Sequence, residues 1–344
     1  MTPRQAGFHM PAEWASHEAT WLAWPSHPDL WADHLEPARR AVVCLAQAVA
    51  AGERVEVLTL DAESEAEARA AMGSARVRFH RVPFGDIWLR DTAPIFLVDE
   101  AGALGSVRFS FNGWGGKYVL EHDDRVGERI AALRSEARAF AMPFVLEGGA
   151  VEVDGDGTVL TTRQCLLRGQ RNGATPEPEV ERMLCDALGC QKVLWLEDGL
   201  RNDHTDGHVD TLARFVRPGV VVAMESRASD DPNANVLRAL LAELESMVDA
   251  RGRRLEVVRI PSPGLITDGG GRVVPASFVN FYVANACVVV PTYGSRFDEE
   301  AVRLIGSLFP GRAVIGVDAR AVLSGGGAFH CITQQEPRAE KTAI

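Results

Sequence analysis

The sequence has 344 residues and a formal net charge of −11, with 36 lysines and arginines against 47 aspartates and glutamates. This length is ample for a large core, and the acidic balance, without any basic run, argues against nucleic acid as a partner and favours a cationic one. No apolar run approaches the ~18 residues that a membrane span needs, so we expect no membrane association.

The cysteines and the first residues bear on the compartment. Residues 1–19 lack the apolar stretch of a signal peptide, and the six cysteines follow no disulfide spacing. Structural disulfides belong to oxidising compartments, so we expect a reduced, cytoplasmic protein.

Apolar periodicity predicts alternating strands and helices along the chain. A strand over 17–25 opens the chain in its most aromatic region. The elements that follow are helix 37–51, strand 54–60, helix 61–72, strand 77–84, a hairpin entered through 86–99 that returns at 106–111, helix 123–140, strand 144–146, a hairpin over 147–162, helix 176–188, strand 192–196, a hairpin over 207–224, helix 233–250, strand 255–260, a hairpin over 276–291, helix 298–308, strand 313–317 and strand 329–333. We interpret Asp154 and Asp156 as turn residues rather than metal ligands.

A hairpin, a helix and a strand recur five times, with a period of about 60 residues. Repeated units of this kind bury their faces on one another. The last hairpin lacks a return strand and the N-terminal strand lacks an opening partner, so pairing of these two would close a ring. We therefore predict an α/β fold of five units in one domain that spans 1–344, with its core at about 10–337.

Cys331 is the candidate nucleophile. It follows the run Gly325-Gly326-Gly327, and glycine lets another group approach the backbone closely, so the thiol is expected to be presented to a ligand. The thiolate form of cysteine is a nucleophile. The alternative is a small core residue, which is the common role of a single cysteine. We assign that core role to the other five, Cys44, Cys165, Cys185, Cys190 and Cys287.

Polar residues occupy matching places where successive hairpins begin: Asp91, Glu147, His208 and Asp210. In a ring of units these strand starts should converge on the axis. His208 and Asp210, two residues apart in a strand, would face the same way. Histidine carries protons near neutral pH, and clustered carboxylates need a cation between them. A guanidinium matches carboxylate oxygens well, so the set predicts a site in which sulfur attacks a guanidinium carbon.

Each of these residues also has an ordinary structural interpretation. Arg90 and Asp91 could form an ion pair that stabilises a turn, and Glu147 could mark the entry of a hairpin. His208 and Asp210 could be a satisfied pair in the core. The fact that all of them fall at equivalent places in successive units favours the catalytic interpretation.

Other ligand sites are less well supported by the pattern. His204, His208 and Asp210 could hold a metal ion, but no helical HExxH motif is present. The glycine run is not a phosphate loop, because no Gly-Lys-Ser/Thr follows it. The aromatic N-terminal region predicts core packing, with one ring as a wall for a cation; its tryptophans are Trp14, Trp21, Trp24 and Trp31.

Five stretches resemble the agmatine deiminase family, which is also described as bacterial-type peptidylarginine deiminase. They are Trp88-Leu-Arg-Asp-Thr-Ala-Pro94, Phe111-Asn-Gly-Trp-Gly-Gly116, Leu146-Glu-Gly-Gly149, Thr205-Asp-Gly-His-Val-Asp210 and Gly325-Gly-Gly-Ala-Phe-His-Cys-Ile-Thr-Gln-Gln335. The similarity runs from Met10 to Pro337, and the GHxD and C-terminal cysteine motifs together are highly specific. The family belongs to the guanidine-modifying (pentein) superfamily, whose five-bladed pseudo-symmetric α/β propeller agrees with the five units.

The resemblance implies hydrolysis of agmatine to N-carbamoylputrescine and ammonia without a metal ion or a cofactor. By analogy with the family, Cys331 attacks the guanidinium carbon, and Asp91 and Asp210 hold guanidinium nitrogens. Glu147 and His208 handle protons, with His208 assisting the departure of ammonia and then activating the water that cleaves the amidino-thioether. The substrate-binding residues suggested by these motifs are Trp88, Trp114, Asp206, Gly326 and Gly327.

Three positions depart from the usual pattern of the family and bear on the tail of the substrate. Ala93 stands where a glycine is common, and Ala328 where an asparagine is common. Arg201 replaces an acidic or aromatic residue, and we expect it on the surface; inside the pocket it would suit a carboxylate better than an amine.

The residues leave several alternatives open. The same chemistry could act on free arginine, peptidyl-arginine or a methylated arginine, or an amine could resolve the intermediate in an amidinotransferase. A guanidine-binding protein without turnover and a metal hydrolase are further alternatives. The expected partner is a small cationic guanidine, with no nucleic acid and no membrane, and a homodimer is one option for the assembly.

Overall fold

The computed structural model describes residues 1–73, 76–168 and 170–339. The strands of this part of the chain form five separate sheets. In every sheet, one antiparallel pair is extended by a strand that runs parallel to its neighbour. Parallel neighbours need a crossover connection, and a helix supplies it in each unit. The five predicted units are therefore confirmed as copies of one arrangement.

Each sheet contains three or four strands, named below in the order in which they pair. They are Gln334–Pro337, His17–Ala23, Arg54–Thr59 and Val77–Arg81 in the first sheet; Phe8–His9, Ile95–Asp99, Leu104–Ser110 and Arg138–Val145 in the second; Glu152–Val153, Thr158–Thr162 and Lys192–Leu196 in the third; Ala213–Arg217, Val220–Glu225 and Glu256–Pro261 in the fourth; and Tyr282–Val283, Cys287–Thr292 and Ala313–Asp318 in the fifth.

The crossover helices follow the same order. They are Leu35–Val49 and Ala62–Met72 in the first unit, then Asp123–Ala132, Glu177–Leu188, Ala234–Ser246 and Asp298–Leu308. Local chemistry fixes some of their ends. Asp61 accepts a hydrogen bond from the Ser64 backbone N–H, and the Ser64 hydroxyl accepts one from the Asp61 N–H, which is a capping box. No helix in the described ranges is both long enough and apolar enough to cross a membrane.

Single turns of helix connect these elements. They are Pro28–Trp31, Leu89–Thr92, Gly113–Gly116 and Arg320–Leu323, with 3₁₀ turns at Arg4–Ala6, Ala32–His34, Gly148–Ala150 and Val209–Thr211 and a π turn at Gln164–Arg168. Three of these turns, Leu89–Thr92, Gly148–Ala150 and Val209–Thr211, stand shortly before the first strands of three hairpins. The buried side chains of Asp91 and Asp210 lie within two of them, and Glu147 precedes the third.

The core consists of two apolar clusters. The larger one joins the first, fourth and fifth sheets through residues such as Trp21, Val222 and Val289. The second one joins the second and third sheets, for example through Leu97 and Val159. The inner strands read as nearly continuous apolar runs, which is typical of strands that are covered on both faces.

The two ends of the fold meet in the first sheet, as the sequence predicts. Strand Gln334–Pro337 runs antiparallel to strand His17–Ala23, with Gln334 opposite Trp21. The last unit of the chain is thus completed by the first, and the Cys331 loop is held next to the N-terminal strand.

Two predicted elements are wrong at their ends. The helix predicted over 123–140 stops at Ala132, and the chain from Arg138 to Val145 is a strand parallel to Leu104–Ser110. Pairing with a neighbouring strand outweighs the helical propensity of the alanines and charged residues there. The strand predicted over 329–333 instead begins at Gln334, so Cys331 lies in the turn before it.

Two local predictions about side chains are also corrected. His208 and Asp210 do not lie on a strand: Asp210 belongs to the 3₁₀ turn Val209–Thr211 and His208 precedes it, so the argument from strand alternation does not apply. Cys44 is exposed rather than in the core, because the helix Leu35–Val49 turns its other face inward.

Candidate active site

Cys331 is buried at the end of the glycine-rich turn. Its Sγ accepts a hydrogen bond from Asn280 Nδ2 at 3.1 Å and donates one to Asp210 Oδ2 at 3.5 Å. Burial, and then the negative charges of Asp210 and Asp91, raise the pKa of the thiol well above its ordinary value, against smaller opposing contributions from the Ala328 N–H and Asn280. In the free protein this environment keeps Cys331 in the thiol form.

Asp91 lies in the helical turn Leu89–Thr92 and is held by two donors. Its Oδ2 accepts the Trp114 indole N–H at 2.8 Å, and its Oδ1 accepts the Gly149 backbone N–H at 3.0 Å. Burial raises the pKa of this carboxyl, and the charges of Glu147 and Asp210 add to that shift, although the nearby His208 opposes it. A cation that entered the site would relieve this accumulation of negative charge.

Asp210 has one occupied oxygen and one free one. Its Oδ2 is 2.7 Å from Nδ1 of His330, whereas its buried Oδ1 has no hydrogen-bond partner within the described ranges. Burial alone would raise the pKa of Asp210, but His330 and His208 outweigh it and the pKa is lowered. An ionised carboxylate with an unpaired buried oxygen is prepared to accept a hydrogen bond from a ligand.

His208 is fully buried between two carboxylates. Its Nδ1 is 3.8 Å from Asp91 Oδ1 and its Nε2 is 3.7 Å from Glu147 Oε2. Burial would lower its pKa, but the charge of Asp91 and contacts with Cys165 and Glu147 raise it well above 6.5. The imidazole therefore carries its proton at neutral pH.

Glu147 is oriented by a buried arginine. Arg171 Nε donates to both of its carboxylate oxygens, at 2.9 and 3.2 Å. Burial would raise the pKa of Glu147, but His208 and Arg171 lower it. Arg171 also donates to Asp206 Oδ2 at 2.5 Å, and Lys117 lies 2.7 Å from the other Asp206 oxygen.

The glycines of the motifs permit this convergence. A Cβ on Gly149 would lie 2.5 Å from His208 Nδ1 and 3.0 Å from both Asp210 Oδ2 and Asp91 Oδ1. Gly326 has a φ of +114°, which other residues rarely adopt, and a Cβ there would lie 2.9 Å from His204 Nδ1. The backbone thus passes where side chains would displace the polar groups.

A cavity of about 230 Å³ leads to Cys331 and Asp91. Its other lining residues include most of those predicted to bind substrate: Trp88, Trp114, Gly326 and Gly327, together with Trp31, Tyr118 and His204. Trp31 stacks on Trp88 at 6.1 Å, and Asp86 accepts a hydrogen bond from both indoles. Asp206, which was predicted to bind substrate, does not line this cavity and instead pairs with Arg171 and Lys117. Arg201 is exposed on the surface, as expected.

Sequence reasoning missed several residues that support the site: Glu13, Arg90, Arg171, Asn280 and His330. His330 Nε2 is 2.8 Å from Glu13 Oε2, and the same carboxylate is 3.2 Å from Arg90 and 2.9 Å from Arg214. A chain of contacts thus links the N-terminal segment to Asp210. Arg90 and His330 offered a signal, because each stands beside a site residue in a family motif. The sequence suggested Asp91 as the partner of Arg90, whereas the carboxylate it pairs with is Glu13. The remaining three are single polar residues outside the motifs.

The metal site considered as an alternative in the sequence does not form. His204 is not part of a ligand cluster with His208 and Asp210. Within the described ranges, the one group of three suitable side chains is Glu147, Cys165 and His208.

Comparison with known proteins finds relatives that cover nearly the whole chain. The family model for Porphyromonas-type peptidyl-arginine deiminase matches residues 9–337. The agmatine deiminase of Stutzerimonas stutzeri strain A1501 is 40% identical, over 98% of this chain and 97% of its own length. The structure of Enterococcus faecalis agmatine deiminase superposes with a TM-score of 0.92 at 33% identity and covers 98% of both chains.

A third relative is a cysteine-to-serine variant of C. jejuni agmatine deiminase with substrate bound, which superposes with a TM-score of 0.88 at 26% identity, over 96% of this chain and 97% of that one. The chain therefore belongs to the Porphyromonas-type peptidyl-arginine deiminase family, with agmatine deiminases among its relatives.

Proposed function

We propose that this protein hydrolyses agmatine to N-carbamoylputrescine and ammonia through a covalent intermediate on Cys331. The observation that carries the proposal is a buried thiol beside two buried carboxylates, Asp91 and Asp210, with His208 between Asp91 and Glu147. Relatives that cover almost the whole chain are agmatine deiminases, and they supply the substrate.

Substrate binding activates the nucleophile in this proposal. The guanidinium lies between Asp91 and Asp210, where its N–H groups reach the free Oδ1 of Asp210. Its positive charge offsets the two carboxylates that raise the pKa of Cys331. The pKa of the thiol falls, its proton leaves to solvent, and the thiolate stands beside the guanidinium carbon. Attack therefore becomes favourable only when a cation is in place.

The first half of the reaction releases ammonia. The Cys331 thiolate adds to the guanidinium carbon and gives a neutral tetrahedral adduct. His208, which its neighbours keep protonated, gives its proton to one NH₂ group of the adduct. The C–N bond breaks, ammonia leaves, and a cationic amidino-thioether remains on Cys331 between the two aspartates.

The second half releases the product. The neutral His208 takes a proton from water as the oxygen attacks the amidino carbon. The adduct then breaks its C–S bond and expels the Cys331 thiolate, and the N-carbamoyl product forms with loss of one proton to solvent. Glu147, held by Arg171, stabilises the imidazolium in both halves.

The proposal is tested by ammonia release from agmatine, free arginine and a peptidyl-arginine, measured side by side on the purified protein. We expect turnover of agmatine, no turnover by Cys331→Ser, and a large loss of kcat/KM in Asp91→Asn. Wild-type activity in Cys331→Ser would contradict the nucleophile. Turnover of another guanidine alone would contradict the substrate but keep the chemistry, and would direct attention to Ala93 and Ala328.

The proposal extends to the organisation of the protein. We propose one domain over 1–344, which the pairing of strands His17–Ala23 and Gln334–Pro337 supports. The net charge of −11 supports a small cationic ligand rather than nucleic acid. A cytoplasmic location and a homodimer complete the proposal, and light scattering on the purified protein tests the assembly.

A further inference from the structure

Cys165 lies next to the catalytic residues, yet the reaction proposed above does not use it. It belongs to the π turn Gln164–Arg168, directly after strand Thr158–Thr162, and its side chain is fully buried. Its sulfur, a ring nitrogen of His208 and a carboxylate oxygen of Glu147 all lie within 4.8 Å of one another. A second thiol therefore faces the same imidazole from the protein interior.

The His208 ring lies between two carboxylates but makes no hydrogen bond to either of them. Both of its nitrogens are buried, and neither has a hydrogen-bond partner within the described ranges. Buried polar atoms are rarely left without a partner unless a ligand, an ion or a reaction uses them. The 3.7 Å between His208 Nε2 and Glu147 Oε2 is short enough for both atoms to bind one ion with bonds of about 2.0–2.2 Å.

The electrostatics of the pocket favour a cation at this point. Asp91, Asp210 and Glu147 bring three carboxylates. The protein offsets their charge with protonated His208 beside Asp91 and Glu147, with Arg171 on Glu147, and with His330 on Asp210. An ion that replaces the His208 proton would take over the counter-charge of that proton. The same negative charge that suits a guanidinium suits a divalent ion. Imidazole nitrogen, thiolate sulfur and carboxylate oxygen are together the ligand types of Zn²⁺.

We propose that Glu147, Cys165 and His208 form a binding site for a divalent transition-metal ion of the zinc class, and that an ion bound there blocks turnover. On binding, the Cys165 S–H bond and the N–H bond of the coordinating His208 nitrogen break, and both protons go to solvent. The sulfur and the nitrogen then bond to the ion without any change in oxidation state. The ion occupies the imidazole nitrogen that must carry a proton, so His208 can serve neither ammonia release nor water activation.

Metal binding is tested without reference to activity. Co²⁺ is added to the full-length protein, and the sulfur-to-cobalt charge-transfer absorption is recorded for the wild type, Cys165→Ser and Cys331→Ser. We expect one Co²⁺ per chain in the wild type and in Cys331→Ser, and loss of the absorption in Cys165→Ser. Cys44→Ser, which removes an exposed thiol, is the matched control and should keep the absorption.

Three results of the cobalt measurement would contradict the proposed metal site. Absence of the absorption in the wild type, its survival in Cys165→Ser, or its loss in Cys331→Ser would each overturn the site. Cys165→Ala serves as a second variant, and circular dichroism checks that both are folded. Agmatine added to Cys331→Ser should weaken binding of the ion, because the guanidinium between Asp91 and Asp210 would be a second cation next to the ion on His208 and Glu147. A metal signal that is indifferent to agmatine would contradict this proximity of the two sites.

Inhibition is tested by ammonia release from agmatine in the presence of Zn²⁺, and this part rests on the proposed function. Each protein is compared with its own zinc-free rate. We expect reversible inhibition of the wild type, relieved by a chelator, and an inhibitory concentration higher by about tenfold or more in Cys165→Ser. Equal inhibition of both would contradict the role of Cys165. If agmatine is not turned over at all, the cobalt measurement still decides the site.

Discussion

At the scale of single residues, the neighbours of Cys331 disfavour its thiolate, which is the form that reacts. Burial and two carboxylates raise the pKa of its thiol. Asn280 is the principal side chain that acts in the other direction, because its Nδ2–H donates to Sγ at 3.1 Å. A hydrogen bond to a charged acceptor is stronger than one to a neutral acceptor, so Asn280 favours the thiolate.

Asn280→Ala should therefore slow the reaction. Loss of a hydrogen bond to a charged group costs about 1.5–3 kcal/mol, which corresponds to a fall in kcat/KM of roughly 10- to 150-fold. Because the pKa of Cys331 would rise further, the acidic limb of the pH profile of kcat/KM should move to higher pH. A full pH–rate profile measures both effects. An unchanged acidic limb would show that Asn280 does not act through the thiol.

Gly149→Ala should inactivate the protein without removing any polar group. The added Cβ would lie 2.5 Å from His208 Nδ1, so the imidazole must move. Displacement of a catalytic group by about 1 Å can cost about 100-fold in rate, and we expect at least that loss in kcat. Gly269→Ala is the matched control, since a Cβ there meets nothing within 4 Å. Equal activity of both variants would contradict the crowding at Gly149.

The candidate catalytic residues lie in short motifs and could be predicted from the sequence, whereas the residues that hold them in place could not. The predicted site residues stand where hairpins begin, in three successive units and in the last one, so a count of units brings them together; they are Asp91, Glu147, the pair His208 and Asp210, and Cys331. Asn280 also stands just before the first strand of a unit, Tyr282–Val283, but no motif marked it, and Arg171 occupies no such position. Asn280 meets Cys331 across 51 residues, and Arg171 meets Glu147 across 24. Contacts of this kind depend on tertiary packing and leave no local period in the sequence.

At the scale of elements, the sequence predicted well which strands and helices exist, because each buries an apolar face in the core. It predicted the residues at which they begin and end less well. Helix Asp298–Leu308 and strand Lys192–Leu196 match the prediction. The helix that begins at Asp123 was predicted too long, because the pairing of Arg138–Val145 with its neighbour is a long-range effect. The site residues lie in turns before strands, where backbone geometry follows from buried polar contacts rather than from alternation.

Glu13 anchors the segment between strands Phe8–His9 and His17–Ala23, and its carboxylate is the point where we expect this segment to be most sensitive to substitution. Glu13 is buried against His330, Arg90 and Arg214, which lower its pKa well below 4.5 although burial alone would raise it. Glu13→Gln would leave these charges without their partner and should cost about 3–5 kcal/mol in the free energy of unfolding.

Urea unfolding at several pH values measures this loss. The folded-state pKa of Glu13 is depressed, so its contribution is present above its ordinary value of 4.5 and is lost as pH falls through the folded-state value. The difference between wild type and Glu13→Gln should therefore shrink in acid. Glu18→Gln is the control: this exposed carboxylate pairs with Arg54 and should cost less than about 1 kcal/mol. A similar cost for both variants would contradict the buried network.

At the scale of the whole molecule, the ring closes through the last strand. Five units could be counted in the sequence, and the two unpaired strands at its ends predicted how they close. The side chains that lock the closure were not foreseen. Glu336 accepts hydrogen bonds from the Trp21 indole at 2.9 Å and from Arg134 at 2.7 Å, and Gln335 accepts one from Arg90 at 2.7 Å.

Removal of this strand should open the whole fold rather than fray one end. A chain that stops at Thr333 would leave strand His17–Ala23 unpaired on one side, and Arg90 and Arg134 would lose buried partners. We expect loss of cooperative unfolding and of ammonia release, although Cys331 is still present. The reason is that in a ring each unit relies on the next for the burial of its faces. A chain that stops at Ala339 keeps all these contacts and is the control. An unchanged urea midpoint in the shorter chain, relative to the control, would therefore show that closure by the last strand does not stabilise the molecule.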